Sequence, residues 1–178
     1  MTLLLTLLSC SSSPVSLSYS QAITDISTPQ EVDVYLEEYF RIHEQNVQRA
    51  FSFRLVHEVE KGGDCTEVML TAAALLSDDG YPPRFISLRK RGEDYGHILY
   101  VYQKDQLWGT IDAGHFHSQR AHASVIEDLL APYVTAGFDG YSLGEIPVTQ
   151  FPNWIFTEED LYVDAALFGI HRKYTSLP

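Results

Sequence analysis

Three residues whose types support covalent catalysis stand in order along the chain, Cys65, His97 and Asp112. A cysteine nucleophile acts as a thiolate, whose formation is favoured beside an imidazolium and at a helix amino terminus, where about half a positive charge accumulates. In such a set His97 takes up and returns the proton, while Asp112 fixes the imidazole tautomer and stabilises its positive charge. The chemistry is nucleophilic catalysis through a covalent intermediate, with the backbone N–H of Cys65 as one candidate donor to the oxyanion. Gln45, Asn46 and Gln48 precede the cysteine, and Gln45 is the candidate second donor, against the plainer role of a solvated helix residue. Taken singly, a cysteine beside an apolar helix face is more often a small core residue. Its pairing with a histidine and a carboxylate on elements of suitable type gives it chemical meaning.

A rival constellation shares one of these residues. Asp112, His115, His117 and His122 form a cluster that could hold zinc, but the spacing matches no strong zinc motif. A histidine-rich surface loop is the preferred reading, and no metal or other cofactor is expected. Metal at that cluster would divert Asp112 from His97.

The elements that must position the triad are legible around it. In Lys61-Gly62-Gly63-Asp64-Cys65-Thr66-Glu67 the glycines free the backbone to turn, and Asp64 and Glu67 form a capping box that puts Cys65 in a helix's first turn. Cys65, Val68, Met69, Ala72, Ala73 and Leu76 then recur on one helical face, predicting a central, buried helix. Gly80 and the prolines at 82 and 83 stop it. Residues 84–88 read as a strand, 91–96 as a polar loop, and 97–102 and 107–112 as a β-hairpin. A turn at Lys104-Asp105, or a four-residue loop from Gln103 to Gln106, sets His97 directly opposite Asp112 with Cβ atoms about 5 Å apart on one sheet face. A slip of one residue would send one partner to the other face.

Elsewhere Thr28-Pro29-Gln30-Glu31 opens an amphipathic helix expected to reach the region of Val47 to Ala50, and residues 51–57 alternate like a strand. Ser124 and Glu127 form a Ser-x-x-Glu box before a helix to Leu130, and a last helix starts at Thr157 and runs through Phe168. The chain shows neither an internal repeat nor a second composition regime, so a single domain over residues 28–178 is expected.

Gly63-Asp64-Cys65, the Ala72-Ala73-Ala74-Leu75-Leu76 helix, Gly80-Tyr81-Pro82-Pro83-Arg84, Gly96-His97-Ile98 and Ile111-Asp112 together resemble the core of the transglutaminase-like superfamily. The likeness covers about residues 61–114. It implies an α+β, papain-like fold in which the helix carrying the nucleophilic Cys65 packs on an antiparallel sheet bearing His97 and Asp112. The bacterial members that the chain most resembles are cysteine peptidases or amidases. The implied activity is amide cleavage, or acyl transfer to an amine, through a thioester on Cys65, with a peptide or other amide as substrate. Where that family often has Trp after its histidine, this chain has Ile98-Leu99.

Composition narrows the partners. The 178 residues carry 12 Lys plus Arg against 24 Asp plus Glu, a net charge of −12, so a nucleic-acid backbone would be repelled. Residues 1–27 read as a short signal-like segment and polar tether. Its apolar run at 3–8 leads into Leu7-Leu8-Ser9-Cys10 and a serine tract, which resembles a bacterial lipoprotein signal with Cys10 as the acylation site. Export to the cell envelope with membrane attachment through lipidated Cys10 follows from that likeness, and a cytoplasmic location follows if the segment is only a mis-started or frayed terminus. Two further readings remain: a catalytically silent binding module on the same scaffold, and the metal-binding protein. The aromatics Tyr95, Tyr100, Tyr102, Trp108 and Trp154 line a cleft or, by default, build the core. The run Arg89-Lys90-Arg91 is a solvated turn or a contact for an acidic substrate.

Overall fold

The structure, a computed structural model, describes residues 19–39, 63–93, 96–112, 116–146 and 174–177. Helices α1 (Tyr19–Asp25) and α2 (Pro29–Tyr39) come first. The Thr28 box forms as expected: Glu31 Oε2 accepts the backbone N–H groups of Ser27 at 3.0 Å and Thr28 at 2.9 Å. Those bonds, the one from Ser27 foremost, hold the Glu31 carboxyl below its ordinary range. The tether expected through residue 27 ends earlier on the chain, because Ala22 and Ile26 are buried in the core. Their apolar side chains gain more against α2 and α3 than in water.

Helix α3 (Cys65–Leu76) is capped as the sequence predicts. The Asp64 carboxylate accepts the Thr66 N–H at 2.7 Å, and Glu67 Oε2 accepts the Asp64 N–H at 2.6 Å. Every residue from Val68 to Leu76 is buried, so this helix is apolar all round rather than on one face. Its one hydroxyl in that stretch, Thr71, satisfies itself on the Glu67 carbonyl at 2.7 Å. The helix tightens into a 3₁₀ turn at Ser77–Asp79 and ends at Gly80, whose φ of 82° is the left-handed conformation glycine adopts without penalty.

Six strands follow: β1 (Arg84–Arg89), β2 (Gly96–Lys104), β3 (Leu107–Ile111), β4 (Gln119–Ala123), β5 (Gly140–Glu145) and β6 (Thr175–Ser176). Two short helices, α4 (Ile126–Leu129) and α5 (Ala131–Thr135), lie between β4 and β5. The strands form one sheet in the order β4-β3-β2-β1-β5-β6, with each neighbouring pair antiparallel. The fold is therefore mixed α+β around a six-stranded antiparallel sheet.

Alternation along β2 builds two cores. Ile98, Tyr100 and Tyr102 face α1, α2 and α3, while Leu99 and Val101 face Leu129, Leu130 and Tyr133 of the α4–α5 segment. Tyr100 and Tyr102 are thus core residues, as the default reading had it, and Trp108 is a half-buried neighbour of the second core.

The β2–β3 hairpin is present, but its register differs from the expected one. Lys104 pairs with Leu107 and Tyr100 with Ile111, so the two-residue turn is Asp105-Gln106, with φ of 52° and 67°. This is two residues from the register that would set His97 opposite Asp112. Because side-chain direction repeats every second residue, the shift leaves both on the same face as diagonal neighbours. The Ser-x-x-Glu box at Ser124 does not form. Val125 is the cap of α4 and offers no side-chain bond, and Glu127 instead accepts the Tyr141 hydroxyl at 2.6 Å. The run Arg89-Lys90-Arg91 is not simply solvated: Arg89 and Arg91 contact the Asp139 carboxylate at 3.2 and 2.9 Å. The continuation of α2 to residue 50, the strand at 51–57 and the helix from 157 lie outside the described residues. Strands β4, β5 and β6 and helix α5 were not legible in advance.

Candidate active site

Cys65 is the first residue of α3 and His97 the second of β2, so the two meet where both elements begin. Asp112 follows the last residue of β3. The imidazole points into the second core, and its Nε2–H donates to Asp112 Oδ1 at 2.7 Å. Its side chain is 12% exposed and that of Asp112 0%, so the bond is shielded from water. Cys65 is the other neighbour that favours the charged imidazole. The structure thus joins His97 to Asp112 and sets Cys65 among the neighbours that act on the imidazole.

The electrostatics follow from that chain. Burial alone would push the His97 imidazole down, because it penalises the charged form. The hydrogen bonds to Asp112 and Cys65, and the negative charge each can carry, outweigh it and raise the group from 6.5 to about 10. At neutral pH His97 is an imidazolium. On the other side, Cys65 stands at the amino end of a twelve-residue helix, where the N–H groups of the first turn lack intrahelical acceptors. Of these, the Thr66 N–H is taken by Asp64, and that of Cys65 itself lies beside its own thiol. The arrangement can hold a thiolate against an imidazolium and offer a backbone donor to a developing oxyanion.

Several groups that sequence reasoning missed complete the surroundings. The Tyr133 hydroxyl donates to Asp112 Oδ2 in a very short bond, and the Asp112 N–H donates to Ser118 Oγ at 3.2 Å. Phe116, Tyr133 and Phe138 pack around the imidazole with ring centroids 5.3, 6.0 and 6.2 Å from it, Tyr133 in a stacked orientation. The available signal for Tyr133 was its place four residues after Leu129 and three after Leu130, an inward face of a short helical segment behind Pro132.

The remaining candidates are not drawn into this centre. His117 and His122 are exposed, and His122 Nδ1 donates to the Arg120 carbonyl at 2.8 Å. Among the described residues no three His, Cys, Asp or Glu side chains gather as a metal-binding group. Asp112 is engaged by His97 and Tyr133. Gln45, Cys10 and His115 lie outside the described residues. Among the described residues no helix is long and apolar enough to cross a membrane. Compared with protein-family models and with curated proteins, the sequence finds no match.

Proposed function

We propose that the chain is a cysteine-dependent hydrolase of amide bonds, a peptidase or amidase of transglutaminase-like, papain-like type, or an acyl transferase working through the same intermediate. The observation that carries this reading is the imidazole of His97 bonded to Asp112 Oδ1 at 2.7 Å, with Cys65, at the start of α3, as the second neighbour that favours its charge. Cys65 Sγ attacks the amide carbonyl carbon, and the backbone N–H of Cys65 receives the developing oxyanion. The C–N bond breaks as His97 gives its proton to the departing amine, leaving a thioester on Cys65. Water, or an amine in the transferase case, then attacks the thioester. His97 takes the attacker's proton and Cys65 leaves as the thiolate. Asp112 keeps the imidazole oriented and stabilises its charge throughout.

A peptide or another amide is the proposed substrate. The net charge of −12 disfavours nucleic acid as a partner. The Leu7-Leu8-Ser9-Cys10 segment supports export and a lipid anchor at Cys10.

The test is alkylation of Cys65 by iodoacetamide across a range of pH, followed by mass analysis of the peptide that carries it, in the parent and in His97→Ala. The expected result is reaction that persists at mildly acidic pH in the parent and drops by about tenfold or more without His97. A thiol indifferent to His97 would overturn the reading and favour a silent binding module on the same scaffold.

A further inference from the structure

We infer that Tyr133 is a positioning residue of the triad, its hydroxyl clamping the far edge of the Asp112 carboxylate so that the near edge stays on His97. The inference rests on the reading of Cys65, His97 and Asp112 as nucleophile, base and orienter.

A carboxylate at the end of a short side chain rotates in a broad, two-fold well, so one hydrogen bond does not fix its plane. Asp112 has left the β3 ladder, and its backbone N–H is held by Ser118 rather than by a strand neighbour. A second bond to the opposite oxygen, from a different element, fixes the plane. Tyr133 on α5 supplies that bond to Oδ2 while His97 on β2 occupies Oδ1. The same tyrosine ring stacks on the imidazole at 6.0 Å with planes 29° apart, so one side chain registers both partners against each other.

The direction of the tyrosine bond is also set. A carboxylate oxygen only accepts, so the phenol is the donor, with Thr110 and Gln119 as its polar neighbours. Burial, then the neighbouring carboxylate, keeps the phenol protonated far into alkaline pH. Tyr133 touches none of the reacting atoms and acts through Asp112 and His97.

A double-mutant cycle tests this on the full chain, with iodoacetamide as the probe. Its carbon is attacked by Cys65 Sγ and iodide departs, so no substrate is needed. Tyr133→Phe keeps the ring and removes the hydroxyl. It is expected to slow Cys65 alkylation at mildly acidic pH by about tenfold, and to add no further slowing to His97→Ala, because its effect passes through that imidazole. The His97 Nε2–H proton resonance should broaden or disappear in Tyr133→Phe. Thr110→Val, which removes a polar neighbour of the phenol and leaves Asp112 in place, should act in the same direction and by less; it decides the matter if Tyr133→Phe fails to melt cooperatively. Alkylation within about twofold of the parent in these variants, or slowing that simply adds to that of His97→Ala, overturns the inference. Failure of the proposed activity reads differently, as a parent thiol that does not respond to His97→Ala at all.

Discussion

His97 has two neighbours that both favour its charged form, Asp112 through Nε2, and Cys65. Removing Asp112 takes away the stronger of these partners and leaves the Tyr133 hydroxyl facing an emptied site. Asp112→Ala is expected to destabilise the protein by about 3 kcal/mol, the scale of a broken buried pair with unsatisfied donors, read by chemical denaturation. The imidazole should fall well below its value of about 10, because burial, which lowers it, is then opposed by Cys65 alone. Titration of the His97 ring protons by NMR checks this, and an unchanged midpoint would show that Asp112 is not what charges the ring.

At the scale of elements, the site depends on where two strands begin and turn. Gly96 pairs with Arg89, and a Cβ placed on it would lie deep inside contact distance of the Leu88 carbonyl oxygen, a backbone atom that cannot swing aside. Gly96→Ala is therefore expected to cost about 1–3 kcal/mol in a denaturation curve and to displace the adjoining His97, reducing the His97-dependent part of Cys65 alkylation. Near-parental values in both would mean that β1 and β2 can part at no cost. The β2–β3 turn carries strain of a different kind. Asp105 and Gln106 both adopt positive φ, which Asp tolerates by local hydrogen bonding and Gln does not. Gln106→Gly is expected to stabilise the protein by up to about 1 kcal/mol, the relief of the left-handed penalty less the extra freedom of the unfolded chain, and denaturant melts will show it. The unusual turn also explains the misplaced register. The sequence holds no Asn-Gly or Asp-Gly signal there, and Lys104-Asp105 resembles a turn as well as Asp105-Gln106 does.

For the whole molecule, the raised imidazole couples folding to pH. A group whose value rises from 6.5 unfolded to about 10 folded binds its proton more tightly in the native state. Its contribution to stability is fully present below about pH 6.5 and is lost as pH climbs through about 10. In a Cys65→Ala background, where Asp112 still raises the imidazole and no thiol titrates at that position, stability should decline as pH rises from about 6.5, over a narrower span than with Cys65 present, relative to the same background carrying His97→Phe. Urea denaturation at several pH values measures the difference. A difference independent of pH would mean that His97 is neutral in the native state. The sheet that makes this coupling possible is covered on both faces, by α1 to α3 on one and α4–α5 on the other, which is how Asp112 comes to be wholly hidden from water.

Cys65 at the head of a buried helix, the capping box of Asp64 and Glu67, the stop at Gly80 and the two hairpin strands were written in the sequence. Caps and periodicity are interactions among residues within a few positions of one another, and the chain specifies them locally. Even the common face of His97 and Asp112 was legible, since a register error of two residues preserves the parity of side chains. The diagonal placement of that pair, the second core, the pairing of Arg89 and Arg91 with Asp139 and the seat of Tyr133 on Asp112 were decided by tertiary structure. Tyr133 and Asp112 are 21 residues apart and come together only because Leu129, Leu130 and Tyr133 bury against the odd-numbered face of β2. That burial is a property of the packed sheet and not of either segment alone.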